Sequence, residues 1–352
     1  MLEVRNELIL SRRSPSIEAR LKKTGIIIPT YNAVVFWPAL QDALDKQGIL
    51  PQQVLIVDSS STDETRKLAK DAGYRVVKIP KSSFGHGTTR QMASSHMPWA
   101  DTLVYLTQDA LPCGEDCIPN LLKAFDNPEV GAAYGRQRPR DEARGIEAHA
   151  RLFNYPSVSA VRNFASREAL GFRATFFSNS FAAYRRSAFE EVGGFPAHVI
   201  VSEEVTVVAK MMMAGWSVAY CADAEVIHSH RLSLRAEFSR YFDIAVHHSR
   251  ERWILDEFGQ VGGEGALFLL SEFRYLLDKD AVLIPQAAAR NICKWMAYKL
   301  GLRERYLPLW TKRMVSAQPS YWDRAGSSMK LIRGRGKSVP NGVSVRWPAS
   351  RN

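Results

Sequence analysis

The chain has 352 residues, 46% hydrophobic and 24% charged, an ordinary globular balance long enough for one large domain or two smaller ones. Its formal net charge of +11 sits at one end: fourteen Lys and Arg from Arg290 onward face only Glu304 and Asp323, leaving the remainder near neutral. The N-terminal stretch is polar and basic, and no apolar run approaches the ~18 residues of a membrane span. The sequence therefore predicts neither a secretory leader nor a transmembrane helix.

In chain order, "TGIIIPTYNA" reads as a short buried strand, Ile26 to Ile28, stopped by Pro29 and followed by a helix to about Gln47. "QQVLIVDSSSTDET" gives a second strand, Val54 to Val57, ending at Asp58, then a helix capped by Ser61 or Thr62. "YRVVKIP" is a third strand, and "FGHGTTRQMASSHM" a glycine-bearing loop opening a helix. "DTLVYLTQD" is a fourth strand and "VGAAYGRQRP" a fifth. This alternation predicts a mostly parallel α/β sheet whose binding residues gather at the strands' carboxyl ends. Tyr31, Asp58, Gly87 and Asp109 all fall at or just after such ends.

Residues 141–174 read as helical and rich in Arg. "TFFSNSFAAYRRSAFEEVGGFP" follows as strand, helix and turn, and then a helix closed by Gly215 leads into two short strands ending at His228 and His230. Amphipathic helices fill residues 236–316. The expected organisation is a basic N-terminal tail (1–22), an α/β domain (23–235), a helical region (236–316) and a basic, flexible tail (317–352). Cys113 and Cys117 have C-x3-C spacing without a second pair, so free thiols in a cytosolic setting are expected rather than zinc. The basic, aromatic C-terminal region suits an anionic membrane surface better than nucleic acid, for which no motif is present.

Taken in order, "IIIPTYNA", "VLIVDSSSTDET", "FGHGTTRQMA", "YLTQDALP", "EEVGGFP" and the segment ending "HSH" resemble the family 2 inverting glycosyltransferases. The resemblance covers roughly residues 23–235. It implies the GT-A fold, a nucleotide-sugar donor and a divalent cation, Mg2+ or Mn2+. "HGTTRQ", "TQDALP" and "HSH" are most similar to the bacterial rhamnosyltransferase branch, which implies dTDP-L-rhamnose as donor and a lipid-linked cell-surface glycan as acceptor. Such an enzyme would be cytoplasmic and peripheral on the inner face of the membrane. The C-terminal helices leave a homodimer open.

The residues map onto this chemistry as follows. Cleaving a sugar from a nucleoside diphosphate builds negative charge on the leaving group, which a divalent cation offsets as a Lewis acid. Asp109 would supply a carboxylate ligand, and His228 or His230 a nitrogen. The family's commoner strand end is D-x-D. Here Thr107 and Gln108 stand before Asp109, so Thr107 would contact the ribose without charge. The resemblance makes Tyr31 the platform for the base, with Pro29 and Thr30 shaping its turn. Asp58 or Ser59 would contact the base or ribose, and Arg90 the diphosphate or nucleoside edge. Gly87 would let backbone approach the ligand. Glu204 is the candidate base that takes the acceptor's proton, with Glu203 in support. A UDP-sugar enzyme of the same fold and a catalytically silent scaffold subunit are the alternatives.

Overall fold

The computed structural model describes residues 13–229, 231–260 and 263–323. Helix α1 (Pro15–Lys22) starts on a proline in its first turn and buries Ile17 and Leu21. Strand β1 (Thr24–Thr30), helix α2 (Trp37–Asp45), strand β2 (Val54–Asp58), helix α3 (Thr65–Asp71), strand β3 (Arg75–Lys78), helix α4 (His86–Ser95) and strand β4 (Thr102–Leu106) follow. The four strands pair in parallel, in the order β3-β2-β1-β4, with Thr30 in register with Asp58. Ile26–Ile28 and Val54–Val57 are fully buried, as strands covered on both faces require. Alternation sends Ile27 and Tyr105 into one core layer and Ile26, Ile28 and Val104 into the other.

Past β4 come strand β5 (Leu111–Pro112), helix α5 (Cys117–Leu122), strand β6 (Val130–Arg138), helix α6 (Gly145–Asn154), strand β7 (Ala160–Arg162), helix α7 (Arg167–Leu170), strand β8 (Phe181–Arg185), helix α8 (Arg186–Glu191), helix α9 (Glu203–Met213) and strand β9 (Ser217–Ile227). Strand β8 runs antiparallel between β4 and β6, and the sheet closes as β8-β6-β9-β5, with β7 also on β9. The sheet is thus parallel through its first half and mixed beyond it.

Next come helices α10 (Leu234–Arg250), α11 (Arg252–Phe258), α12 (Gly263–Lys279), α13 (Ile284–Gly301) and α14 (Leu309–Val315). Helices α10 and α13 pack closely at Gly301, where a Cβ would fall 2.4 Å from the Phe242 carbonyl oxygen. Phe242, Val246 and Ala297 form a small core there with Ile200, Tyr321 and Trp322.

Several boundaries differ from those expected from sequence. Residues 15–22 are helical and packed rather than part of a tail. The helix after Asp58 begins at Thr65, with Asp63 rather than Ser61 or Thr62 accepting from the Thr65 backbone N–H. The expected helical stretch 141–174 includes strand β7, which finds a partner in β9. The two short strands expected before His228 are one eleven-residue strand, its pairing with β6 shifted near Gly135. Residues 317–323 do not begin a flexible tail. Tyr321 donates to the His198 carbonyl, Arg250 donates to the Tyr321 hydroxyl, and Trp322 is 2% exposed. All four cysteines are free thiols, as expected.

Two outcomes follow from this docking. Trp322→Ala removes the largest side chain of the small core, and denaturant titration should find about 3–5 kcal/mol of stability lost. Asp243 is fully buried, with one oxygen accepting from the Ala317 N–H and the other, among the described residues, without a hydrogen bond. Burial pushes its carboxyl from the ordinary 3.8 up to about 7. The folded state thus holds a proton that the unfolded chain releases, so this residue's contribution falls as pH rises between those values. Asp243→Asn should raise Tm at about pH 8, and the gain should vanish toward about pH 4; an equal gain at both would contradict the assignment.

Candidate active site

The carboxyl ends of β1, β2 and β4 converge, and the loops after them carry the expected residues. Asp58 is fully buried and holds its own loop. Its oxygens accept from Thr30 Oγ1 at 3.3 Å, from the Ser61 N–H at 2.9 Å and from the Ser61 hydroxyl, and Arg66 lies 3.5 Å away. Its neighbour Ser59 is 4% exposed, and its Oγ is buried with no hydrogen-bond partner among the described residues. The Ser59 hydroxyl thus keeps hydrogen-bonding capacity that the occupied carboxylate of Asp58 lacks. Pro29 is opposite Val57, beyond the last residue of β1 that pairs with β4, so its missing N–H costs no bond to β4.

Tyr31 is 37% exposed at the end of β1. Gln108 clamps its backbone from both sides, accepting its N–H at 2.8 Å and donating to its carbonyl at 3.2 Å. The middle position of the altered D-x-D is therefore a strut for Tyr31. Lys81 sits 4.1 Å from the ring centroid and donates to the phenol oxygen at 2.7 Å, a cation–π cover that sequence reading missed. Thr107 donates its N–H to the Ser180 carbonyl, and its Oγ1 is buried without a hydrogen-bond partner among the described residues. Ser59 and Thr107 thus both carry buried hydroxyls with unused hydrogen-bonding capacity.

Asp109 is 8% exposed, and its Oδ1 lies 3.5 Å from His228 Nε2. Gln137, another residue that sequence reading missed, fixes the histidine. Its amide nitrogen donates to Ser178 Oγ at 2.8 Å, so its oxygen faces His228 Nδ1 at 2.8 Å. Nδ1 then carries the hydrogen, and Nε2 turns a lone pair toward the Asp109 carboxylate. Two acceptors so placed suit a shared cation, and an oxygen–nitrogen pair of this kind fits Mn2+ or Mg2+ with further ligands from a diphosphate. Among the described residues no group of three or more His, Cys, Asp or Glu side chains forms a metal cluster. His230 lies outside the described residues.

A second cluster sits on α4 and the start of α9. Arg90 makes a buried 2.6 Å ion pair with Glu203. Asn179 donates to the same carboxylate at 3.1 Å and accepts from Tyr184 at 2.7 Å. Burial alone would raise the Glu203 pKa, but the Arg90 guanidinium and the Asn179 amide hold it below the usual carboxylate range. Glu204 is half-buried and has no side-chain partner among the described residues. Burial and the Glu203 charge push it up to about 8. Gly87 serves packing: a Cβ there would fall 2.5 Å from the Pro196 carbonyl oxygen and 3.3 Å from Glu203 Cβ.

Adjacent residues tie the two clusters together, since Ser180 accepts from Thr107 while Asn179 donates to Glu203. Among the described residues, the non-glycine positions with positive φ are Asn32, Ser60 and Ser202. Each follows or precedes a site residue: Tyr31, Ser59 and Glu203. Backbone strain of this kind collects where function fixes geometry.

A model of the family "Glycosyl transferase family 2" matches residues 25–193. The chain is 45% identical over 313 residues to the O-antigen chain rhamnosyltransferase RfbN of Salmonella typhimurium, covering 88% of this chain and 100% of the relative. It is 42% identical over 310 residues to the O-antigen chain rhamnosyltransferase WbaN of Salmonella anatum, covering 88% and 98%. A more distant relative is the N-acetylglucosaminyl-diphospho-decaprenol L-rhamnosyltransferase of Mycobacterium tuberculosis, 28% identical over 208 residues, covering 51% and 66%. Among solved structures, the mannosyltransferase PcManGT from Pyrobaculum calidifontis, in complex with GDP-Man and Mn2+, superposes with a TM-score of 0.50 at 20% identity, covering 94% of this chain and 96% of that one. The chain therefore belongs to glycosyl transferase family 2, as a GT-A-fold glycosyltransferase similar to the O-antigen rhamnosyltransferases.

Proposed function

We propose that this enzyme transfers L-rhamnose, with inversion, from dTDP-β-L-rhamnose to a lipid-linked O-antigen glycan at the inner face of the cytoplasmic membrane. The observation carrying the reading is the linkage of two clusters: Asp109 with His228 for the donor diphosphate, and Glu203 with Glu204 for the acceptor, joined through Asn179–Ser180. The names of the relatives supply the sugar and the glycan. The name of the mycobacterial relative places its acceptor on a diphospho-lipid.

Tyr31 would stack the base, which requires Lys81 to swing off its ring. Ser59 and Thr107 would use their spare hydroxyls on the nucleoside. Asp109 and His228 would hold Mg2+ or Mn2+, which when bound offsets the charge gathering on the departing diphosphate. Mn2+ accompanies the donor in the structurally similar mannosyltransferase. Glu204 would take the acceptor hydroxyl's proton at its carboxylate. Its raised pKa makes it a strong base once ionised, and the buried Arg90–Glu203 pair fixes the turn that aims it.

The C-terminal helices suit a membrane surface. Among the described residues, 13 of the 21 exposed large hydrophobics lie between Leu267 and Met314, including Trp295 and Trp310. Residues 324–352 add seven Lys and Arg and no acid. Apolar side chains inserted beside basic ones give peripheral attachment.

Asp109→Ala and Glu204→Gln should each lower rhamnosyl transfer by about 10²–10⁴-fold while keeping the wild-type circular dichroism spectrum; full turnover in either would strip that residue of its role. With wild type, kcat/KM for the acceptor should climb as pH rises toward about 8 and then level off, because only ionised Glu204 accepts a proton. Thermal-shift titration should favour dTDP with Mn2+ over UDP with Mn2+; the reverse order would favour a UDP-sugar donor. Truncation after Asp323, which spares Tyr321 and Trp322, should weaken co-sedimentation with phosphatidylglycerol vesicles; unchanged partition would discount the basic tail as an anchor.

A further inference from the structure

A cavity of about 520 Å3 lies between α6, α10 and α13, where the helical region meets the catalytic domain. Its volume falls in the range of small-ligand sites. Six cationic side chains line it against three carboxylates, Glu142, Glu147 and Glu237. Arg290 and Lys294 are already paired with Glu237, at 2.8 Å and 3.8 Å. Arg144, Arg151, Arg231 and Arg240 have no ion pair or side-chain hydrogen bond among the described residues.

Four guanidinium groups without an ion pair face only Glu142 and Glu147 around one hollow, which leaves it net positive. A multiply charged oxyanion balances that charge, and planar Arg donors match phosphate oxygens bidentately. The cavity also adjoins the reaction centre. Arg240 is within electrostatic reach of Glu204, and Arg151 within reach of Asp109.

We propose that this cavity is an anionic subsite for the phosphate or diphosphate group of the acceptor, with Arg151 and Arg240 as its principal contacts. The inference rests on the reading that Glu204 faces the acceptor hydroxyl, and it adds how the acceptor is gripped. A phosphate held here anchors the glycan at its charged end while the growing end lies at the carboxylate. The exposed apolar faces of α12 and α13 flank the same region, leaving an attached lipid a surface to follow.

The test uses inorganic pyrophosphate as probe. It is titrated calorimetrically into the full chain in EDTA, with dTDP already saturating. Wild type should bind it, and Arg151→Gln and Arg240→Gln should each weaken binding at least about tenfold, the loss expected for one charge-assisted contact. Both side chains are partly exposed and unpaired, so neither substitution removes a structural bond; wild-type Tm in each variant checks this. Undiminished affinity in both variants, or absence of binding to wild type, would overturn the subsite. So would competition between dTDP and pyrophosphate, which would place the probe in the donor cleft. The dTDP thermal shift reports the donor reading independently: a dTDP response without pyrophosphate binding defeats only the subsite, whereas pyrophosphate binding that Arg151→Gln and Arg240→Gln weaken, without a dTDP response, defeats only the donor assignment.

Discussion

The buried ion pair between Arg90 and Glu203 is the contact on which the rest of the site depends. Both groups are less than 10% exposed, so each would be costly alone, and removing one partner of such a pair typically costs about 3–5 kcal/mol. The pair fastens α4, which follows β3, to the start of α9, more than 100 residues later. It keeps Glu203 ionised in a dry place, and that fixed negative charge helps raise the affinity of Glu204 for a proton. One contact thus both fixes the start of α9 and contributes to the basicity of Glu204. Gly87 belongs to the same design, since any side chain there would drive α4 away from Pro196 and Glu203.

The cluster at the strand ends is built differently. Its residues sit on loops at strand ends, where register alone brings Thr30 beside Asp58 and sets the 107–109 turn next to β8. The acidic first position of the usual strand-end motif is replaced by a threonine with a spare buried hydroxyl. The middle position has become a brace for Tyr31. The strand-end cluster thus offers hydroxyls and an aromatic face, a neutral set that leaves Asp109 and His228 as its polar focus.

The sheet's first half was legible in the sequence because β-branched runs, strand-end carboxylates and intervening helices each have a local signature. Asp109 and His228, some 120 residues apart, could be paired only through family resemblance, since no spacing rule joins residues on different strands. What escaped was non-local: Gln137 fixing a histidine from a neighbouring strand, Lys81 covering Tyr31, and Arg90 pairing with the Glu203 carboxylate. Each depends on which side chains meet across elements, and a one-dimensional pattern does not encode that. The tail boundary was misplaced for a related reason: residues 317–323 are short and polar around two aromatics, and only the hollow that receives Tyr321 and Trp322 makes them structural.

That docked segment reaches further than its size suggests. Gln318 hydrogen-bonds the imidazole of His86 at 3.1 Å, and the other ring nitrogen of His86 meets Arg90 at 3.3 Å. Residue 318 thus touches the network that aligns residues 203 and 204. During synthesis the GT-A sheet can assemble well before residue 318 leaves the ribosome, but the turn at Glu203 and Glu204 lacks this last support until then. A nascent chain would therefore pass through a stage in which the catalytic domain is folded and the site is still incomplete.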